Sequence, residues 1–292
     1  MERCRNVTFL LLIVVSLALW WRSLEGTLQL ALGNDAYTYI LLILPLSCAL
    51  IYVDRERLSL ASKPCVGIGS VILVGALLIA AFSKWGSGLA SDIRLSLSML
   101  GLVTWWSGAL ITCFGARRVR SFLFPFGLLV LIVPLPDSAV NWTTEWLQLQ
   151  SATTSRIMFR LAGVPVTQDG IMVSIPGLDV EVARECSSIR SSLLLVITTM
   201  VLGHLLLRSW WRKSLLVATA IPLSFVKNGF RIFVISELGT RVDPGFLDGR
   251  LHHQGGIVFL CTALGVVALL LWVLRRTEAP NPQKPVLSTI PE

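Results

Sequence analysis

Cys186, Arg231 and the adjacent pair His252 and His253 together carry the groups that a nucleophilic site needs. A thiolate attacks a carbonyl. An imidazole with an ordinary pKa of about 6.5 moves protons near neutrality. A permanently charged guanidinium stabilises the oxyanion that forms. Cys186 has no evident disulfide partner: Cys4, Cys65 and Cys113 fall at the opposite face of the membrane and Cys48 and Cys261 fall within apolar runs. It lies just before a helix expected to begin near Ser187, where the helix dipole favours a thiolate. Arg231 stands within an apolar run beside Lys227 and Asn228, and a cation in a span is by default a functional residue. Bland readings stand beside these: a packing cysteine, an arginine snorkelling to the interface, and histidines exposed in the loop before the last span. His204 reads as structural. Two adjacent histidines and one cysteine lack metal-ligand spacing, and Asp243 and Asp248 fit no ligand pattern. No Gly-rich phosphate loop occurs, so neither metal nor cofactor is expected.

The elements that position these residues are membrane spans. Of 292 residues, 54% are hydrophobic and 14% charged, with mean hydropathy +0.73, against about a quarter charged in soluble domains. The expected fold is an all-α polytopic integral membrane protein with about eight spans: roughly 7–21, 37–53, 66–83, 95–114, 121–136, 187–207, 214–236 and 256–274. The first reads as a retained helix, because no small-x-small cleavage site follows Trp20-Trp21-Arg22. Basic clusters precede span one, follow spans two, four and six, and follow the last; the alternate loops hold only Arg22, or Lys84 and Arg94. The net charge of +8 is thus a topology signal that puts both termini in the cytoplasm, and not a nucleic-acid footprint. The transmembrane body is expected over 1–276, with a disordered cytoplasmic tail over 277–292.

One outer-face insert, about 137–185, interrupts the spans. Its part from Asn141 to Leu161 suits a helix lying in the interface, or a short re-entrant or core helix, with Gly163 as its stop. Val164 and Val166 before Asp169-Gly170, then Ile171, Val173 and Ile175 up to Pro176-Gly177, then Leu178, Val180 and Val182, predict a three-stranded meander delivering the chain to Cys186. So small a sheet must pack on something else.

The residues from Val182 to Ser192, Val-Ala-Arg-Glu-Cys-Ser-Ser-Ile-Arg-Ser-Ser, resemble the Cys-Ser-Gly-Ile-Arg motif of the exosortase/archaeosortase family of membrane transpeptidases. Asn228-Gly-Phe-Arg231 is similar to the family's Asn-x-x-Arg, and His252-His-Gln-Gly-Gly256-Ile-Val-Phe259 to its His followed by Gly and Phe. Upstream, Ile132-Val-Pro-Leu-Pro-Asp137 and Gly163-Val-Pro-Val resemble the family in the same order. Ser188 departs from the family's glycine, and two histidines stand where one is usual; the spacing to Gly256 favours His252, with His253 the alternate.

The resemblance implies a cysteine-type peptidase or transpeptidase of the bacterial inner membrane, its site facing the periplasm. It would cleave a C-terminal sorting signal of PEP-CTERM type from membrane-anchored secreted proteins, through a thioester on Cys186, and transfer them to an acceptor nucleophile. His252 would relay protons, Arg231 would stabilise the oxyanion or donate a proton, and Arg190, Lys227 and Asn228 would bind substrate or orient Arg231. The partners implied are the tagged proteins and the lipid bilayer. The competing expectation is a transporter or channel with Lys227 and Arg231 lining an anion path.

Overall fold

The computed structural model describes residues 2–53, 64–116, 119, 122–182, 189–243, 245 and 250–278, with 250–257 described by their backbone alone. Contacts divide the chain into two units, Met1–Thr143 and Thr144–Glu292. Six described helices are long and apolar enough to cross a bilayer, or up to eight if each of two bent pairs counts as one span. The exposed apolar side chains on these helices are what lipid, rather than water, would solvate.

The first unit begins with α1 (Glu2–Leu19) and α2 (Trp21–Gly33), bent by 69° at Trp20. The stretch after Trp21, expected as a loop, is therefore helical. Its Leu, Glu, Gln and Ala residues are strong helix formers, and Thr27 and Ala31 are buried beneath it. Next come α3 (Ile40–Val53), α4 (Val66–Trp85) and α5 (Ser91–Phe114). The last two form a hairpin built on small residues. A Cβ on Gly69 would lie 2.7 Å from the Thr112 nitrogen, one on Gly101 3.2 Å from the Ala76 carbonyl, and one on Gly108 3.1 Å from Leu73. Such close backbone approach drives helix pairing where lipid supplies no hydrophobic force. The indoles of Trp105 and Trp106 bind α1, donating to the Leu12 carbonyl and Ser16 Oγ, each at 3.0 Å.

The fifth expected span, 121–136, differs. Only α6 (Leu123–Leu129) and a 3-10 turn (Val130–Ile132) form before Pro134 and Pro136 stop the helix. The chain then bends by 97° into α7 (Asp137–Leu161). The family-like Val-Pro-Leu-Pro-Asp segment is held by its freed backbone groups. Ser96 Oγ donates to the Pro134 carbonyl (2.7 Å), the buried Tyr37 hydroxyl donates to the Leu135 carbonyl (2.8 Å), and the Asp137 N–H donates to Asp92 Oδ2 (2.9 Å). Tyr37→Phe removes one of these donors while keeping the ring. The expected loss is about 1–2 kcal/mol, read as a lower Tm in detergent with the helical circular dichroism unchanged.

In the second unit α7 ends at Gly163, whose φ of +75° suits a helix stop. The predicted meander follows: β1 (Thr167–Asp169), β2 (Met172–Ile175) and β3 (Leu178–Glu181), antiparallel in sequence order. The turns fall at Gly170-Ile171 and Pro176-Gly177. The positive φ of both glycines, +57° and +84°, is what those turns need from a residue without a Cβ. The sheet does pack on something else: Val173, Ile175 and Val182 share a buried cluster with Ala152 and Phe159 of α7 and with Ile232.

Three long helices complete this unit: α8 (Ile189–Leu206), α9 (Trp210–Arg241) and α10 (Arg250–Arg276). Leu195, Leu216, Ala220, Ala263, Val267 and Leu271 form their common core. At 32 residues α9 is about 48 Å long, and Pro222 lies inside it, tolerated in spans where neighbouring helices re-satisfy the backbone.

A polar clamp joins the start of α9 to the end of α10. Glu278 accepts the Arg208 and Ser209 N–H groups at 3.0 and 2.8 Å, and Arg212 donates to the Leu274 and Thr277 carbonyls at 3.0 and 2.7 Å. Burial pushes the Glu278 pKa up, but the two backbone donors and the charges of Arg212 and Arg208 outweigh it and leave the pKa lowered. A carboxylate whose pKa is depressed on folding contributes stability that is present above its unfolded pKa and lost as pH falls through the folded value. Glu278→Gln is therefore expected to lower Tm at neutral pH, with the gap to wild type closing as the buffer is taken below the ordinary glutamate range.

Candidate functional site

The backbone of α9 brings Lys227, Asn228 and Arg231 to one region, because residues three and four apart share a helix face. Asn228 is buried at 3% exposure, while Lys227 and Arg231 are half-buried. The Lys227 ammonium donates to Ser191 Oγ at 2.8 Å. That bond ties α9 to the first turn of α8, which follows directly on the Cys-Ser-Ser-Ile-Arg stretch. Two cations one turn apart repel in a medium of low dielectric, so a hydroxyl that draws one ammonium toward α8 also helps separate the charges.

Between Asn228 and Arg231 lies a close helix contact. A Cβ at Gly229 would meet Thr154 Cβ at 2.7 Å and the Ser151 carbonyl at 3.0 Å, so α7 and α9 touch backbone to side chain at this level. The α7 face turned inward here is small and polar, with Ser151 and Ser155 buried and bonded to their own helix carbonyls. The glycine inside the Asn-x-x-Arg motif thus sets the distance between these helices. A ring contact between Phe230 and Phe259, centroids 5.9 Å apart, joins the same level of α9 to α10.

Cys186 lies within 183–188, outside the described residues. The chain is anchored on both sides of it. Before it, Val182 is buried at 1%, its N–H donates to the Ile171 carbonyl at 3.1 Å, and its carbonyl accepts Gln148 Nε2 at 2.6 Å. After it, Ile189 is buried and Ser191 holds Lys227. Arg190 is exposed in the first turn of α8.

His252 and His253 were expected in a loop just before the last span. The structure corrects this: α10 begins at Arg250, so both are helical, although their side chains lie outside the description. The helix runs on through the Gln-Gly-Gly that follows them. His204 is in the last turn of α8.

Two supporting residues, Gln148 and Ser191, were not singled out from sequence. Gln148 is a buried amide at 4% exposure, flanked by Leu147 and Leu149. Its need for a partner was the available signal. Ser191 could have been suspected only by asking what a span lysine would bond.

No curated protein and no solved structure gives a significant match to the chain. The family model for transmembrane exosortases (Exosortase_EpsH) matches residues 20–273. That range holds the meander, both anchors of the Cys186 stretch, the α9 cations and the start of α10. The chain is accordingly a multi-pass membrane protein that belongs to the transmembrane exosortase family.

Proposed function

We propose that the protein is a cysteine transpeptidase that cleaves the C-terminal sorting signal of membrane-anchored secreted proteins and passes them to an acceptor nucleophile. The observation that carries this reading is the anchoring of both flanks of the Cys186 stretch, through β3 and Gln148 on one side and the Ser191–Lys227 bond on the other. The second anchor attaches that stretch to the helix of Asn228 and Arg231. Cys186 attacks the scissile carbonyl; the C–N bond breaks, the amine leaves with a proton from the imidazole, and a thioester remains. An incoming amine or water then loses its proton to the imidazole and displaces the thiolate. Arg231 stabilises the oxyanion in both steps. Lys227, held by Ser191, is fitted to position rather than to react.

Helical periodicity supports His252 as the base. Phe259, Ala263 and Val267 form the buried stripe of α10, and position 252, two turns before Phe259, falls on that stripe, whereas 253 is rotated by about 100°. His252→Ala is expected to lower processing about 10²-fold or more, and His253→Ala by less than a few fold, in co-expression with a tagged substrate. Equal losses in both would remove this assignment.

The reading is tested by trapping the thioester. Wild type co-expressed with a substrate bearing a PEP-CTERM-type C-terminus should yield a covalent adduct released by hydroxylamine and mapping to the peptide of Cys186. Processing that proceeds with no such adduct, and survives thiol alkylation, would exclude the mechanism. The mass of the new C-terminus separates transfer from hydrolysis.

A further inference from the structure

The loops poor in basic residues still carry Arg22, Lys84 and Arg94, and the fold of the first unit gathers all three around one cavity of about 810 Å³. Its walls come from the α1–α2 bend, the end of α4 and the start of α5, and no carboxylate is among the residues that line it. All three cations are exposed, and neither Arg22 nor Lys84 has an ion-pair partner among the described residues. Among the described residues, the Arg94 guanidinium makes only a long contact, 3.4 Å, to the Leu89 carbonyl. Three like charges gathered without a counter-ion repel one another, and a bound anion relieves that cost.

The cavity is also amphipathic in the manner of a bilayer boundary. Trp21 and Trp85 line it and are 65% and 77% exposed, as belt tryptophans are at the headgroup level. Below the cations, Leu77 and Leu95 line its apolar part. From there α4 continues as an exposed apolar face through Val74 and Val71. A Ser23–Ser98 hydroxyl pair at 2.7 Å closes α2 against α5 in its wall. A free phosphate would leave the apolar part of this cavity unfilled, whereas a lipid supplies both a charge and a chain.

We infer that this cavity binds an anionic phospholipid, its phosphate among Arg22, Lys84 and Arg94 and its acyl chain along α4. The site is independent of the cysteine chemistry and stands whether or not that chemistry is right.

The test titrates the full chain, purified in zwitterionic detergent, with phosphatidylglycerol, phosphatidylcholine or inorganic phosphate. Native mass spectrometry and Tm are the readouts. Phosphatidylglycerol should be retained about ten- to a hundredfold more tightly than phosphatidylcholine, because the three cations attract its charged headgroup, and inorganic phosphate should neither raise Tm nor compete. The triple variant Arg22→Gln, Lys84→Gln, Arg94→Gln should lose the preference. A second triple, Lys213→Gln, Arg275→Gln, Lys284→Gln, removes the same charge elsewhere and should keep it. Equal binding of the two lipids by wild type overturns the proposal, as does equal loss in both triples. Competition by inorganic phosphate would mean a soluble anion instead. Should the first triple not fold, Arg22→Lys with Arg94→Lys keeps the charges and must keep the preference.

Discussion

Cys186→Ala is expected to leave a co-expressed sorting substrate uncut, a loss of about 10⁴-fold or more, because removing a covalent nucleophile deletes the reaction path rather than tuning it. Cys186→Ser should be nearly as inactive. A serine hydroxyl has no appreciable alkoxide fraction near pH 7 and is a far weaker nucleophile there than a thiolate. Both variants should still insert and keep the wild-type Tm within a few degrees, since the anchors at Val182 and Ser191 do not include the thiol. Measuring the uncut and cut substrate by immunoblot, with insertion checked by protease protection, decides the matter. Normal cutting by Cys186→Ala would return the two α9 cations to the transport reading, in which flux and not proteolysis depends on them.

Arg231→Gln should lower the rate about 10²- to 10³-fold, the range seen when one oxyanion donor is removed. Arg231→Lys should recover little of this, since an ammonium keeps the charge but loses the planar fork. The loss belongs in kcat with KM little changed, because the oxyanion exists only in the transition state. The variant Lys227→Met gives the comparison. It breaks the bond to Ser191, so a positioning role predicts a smaller loss that extends to Tm. A fall confined to KM in Arg231→Gln would instead make the arginine a binder of substrate.

Much of this architecture was legible in the residues, and what was not has physical causes. The long spans 66–83 and 95–114 match α4 and α5 because apolar runs of about 20 residues admit few alternatives. The meander was legible to within a residue: Pro176-Gly177 is its second turn, and the first falls at Gly170-Ile171, one residue after the expected Asp169-Gly170. Helix α2 was hidden because its apolar residues are interspersed with Arg22, Glu25, Thr27 and Gln29, so no hydropathy peak marks it. The run 121–136 misled because hydropathy averages over Pro134 and Pro136, which end the helix. At the candidate site, residue types were readable but partners were not. Asn228 and Arg231 declared themselves by polarity within a span. Gly229, which spaces α7 from α9, and Ser191, which holds Lys227, act through contacts that no local pattern encodes.

If the proposed function holds, the length of α9 has a bearing on substrate choice. Trp210 and Trp211 stand at one end of it, and Arg231 follows some 30 Å further along the axis, close to the thickness of a hydrocarbon core. On the proposed function, the helix would work as a ruler between the two leaflets, with Arg231 near the boundary of the second. A substrate tethered by its own helix is measured by the same bilayer, so its cleavage register would depend on the number of residues in its anchor. Adding or deleting a turn there would slide the scissile bond past the site by about 5 Å, with the recognition motif unaltered.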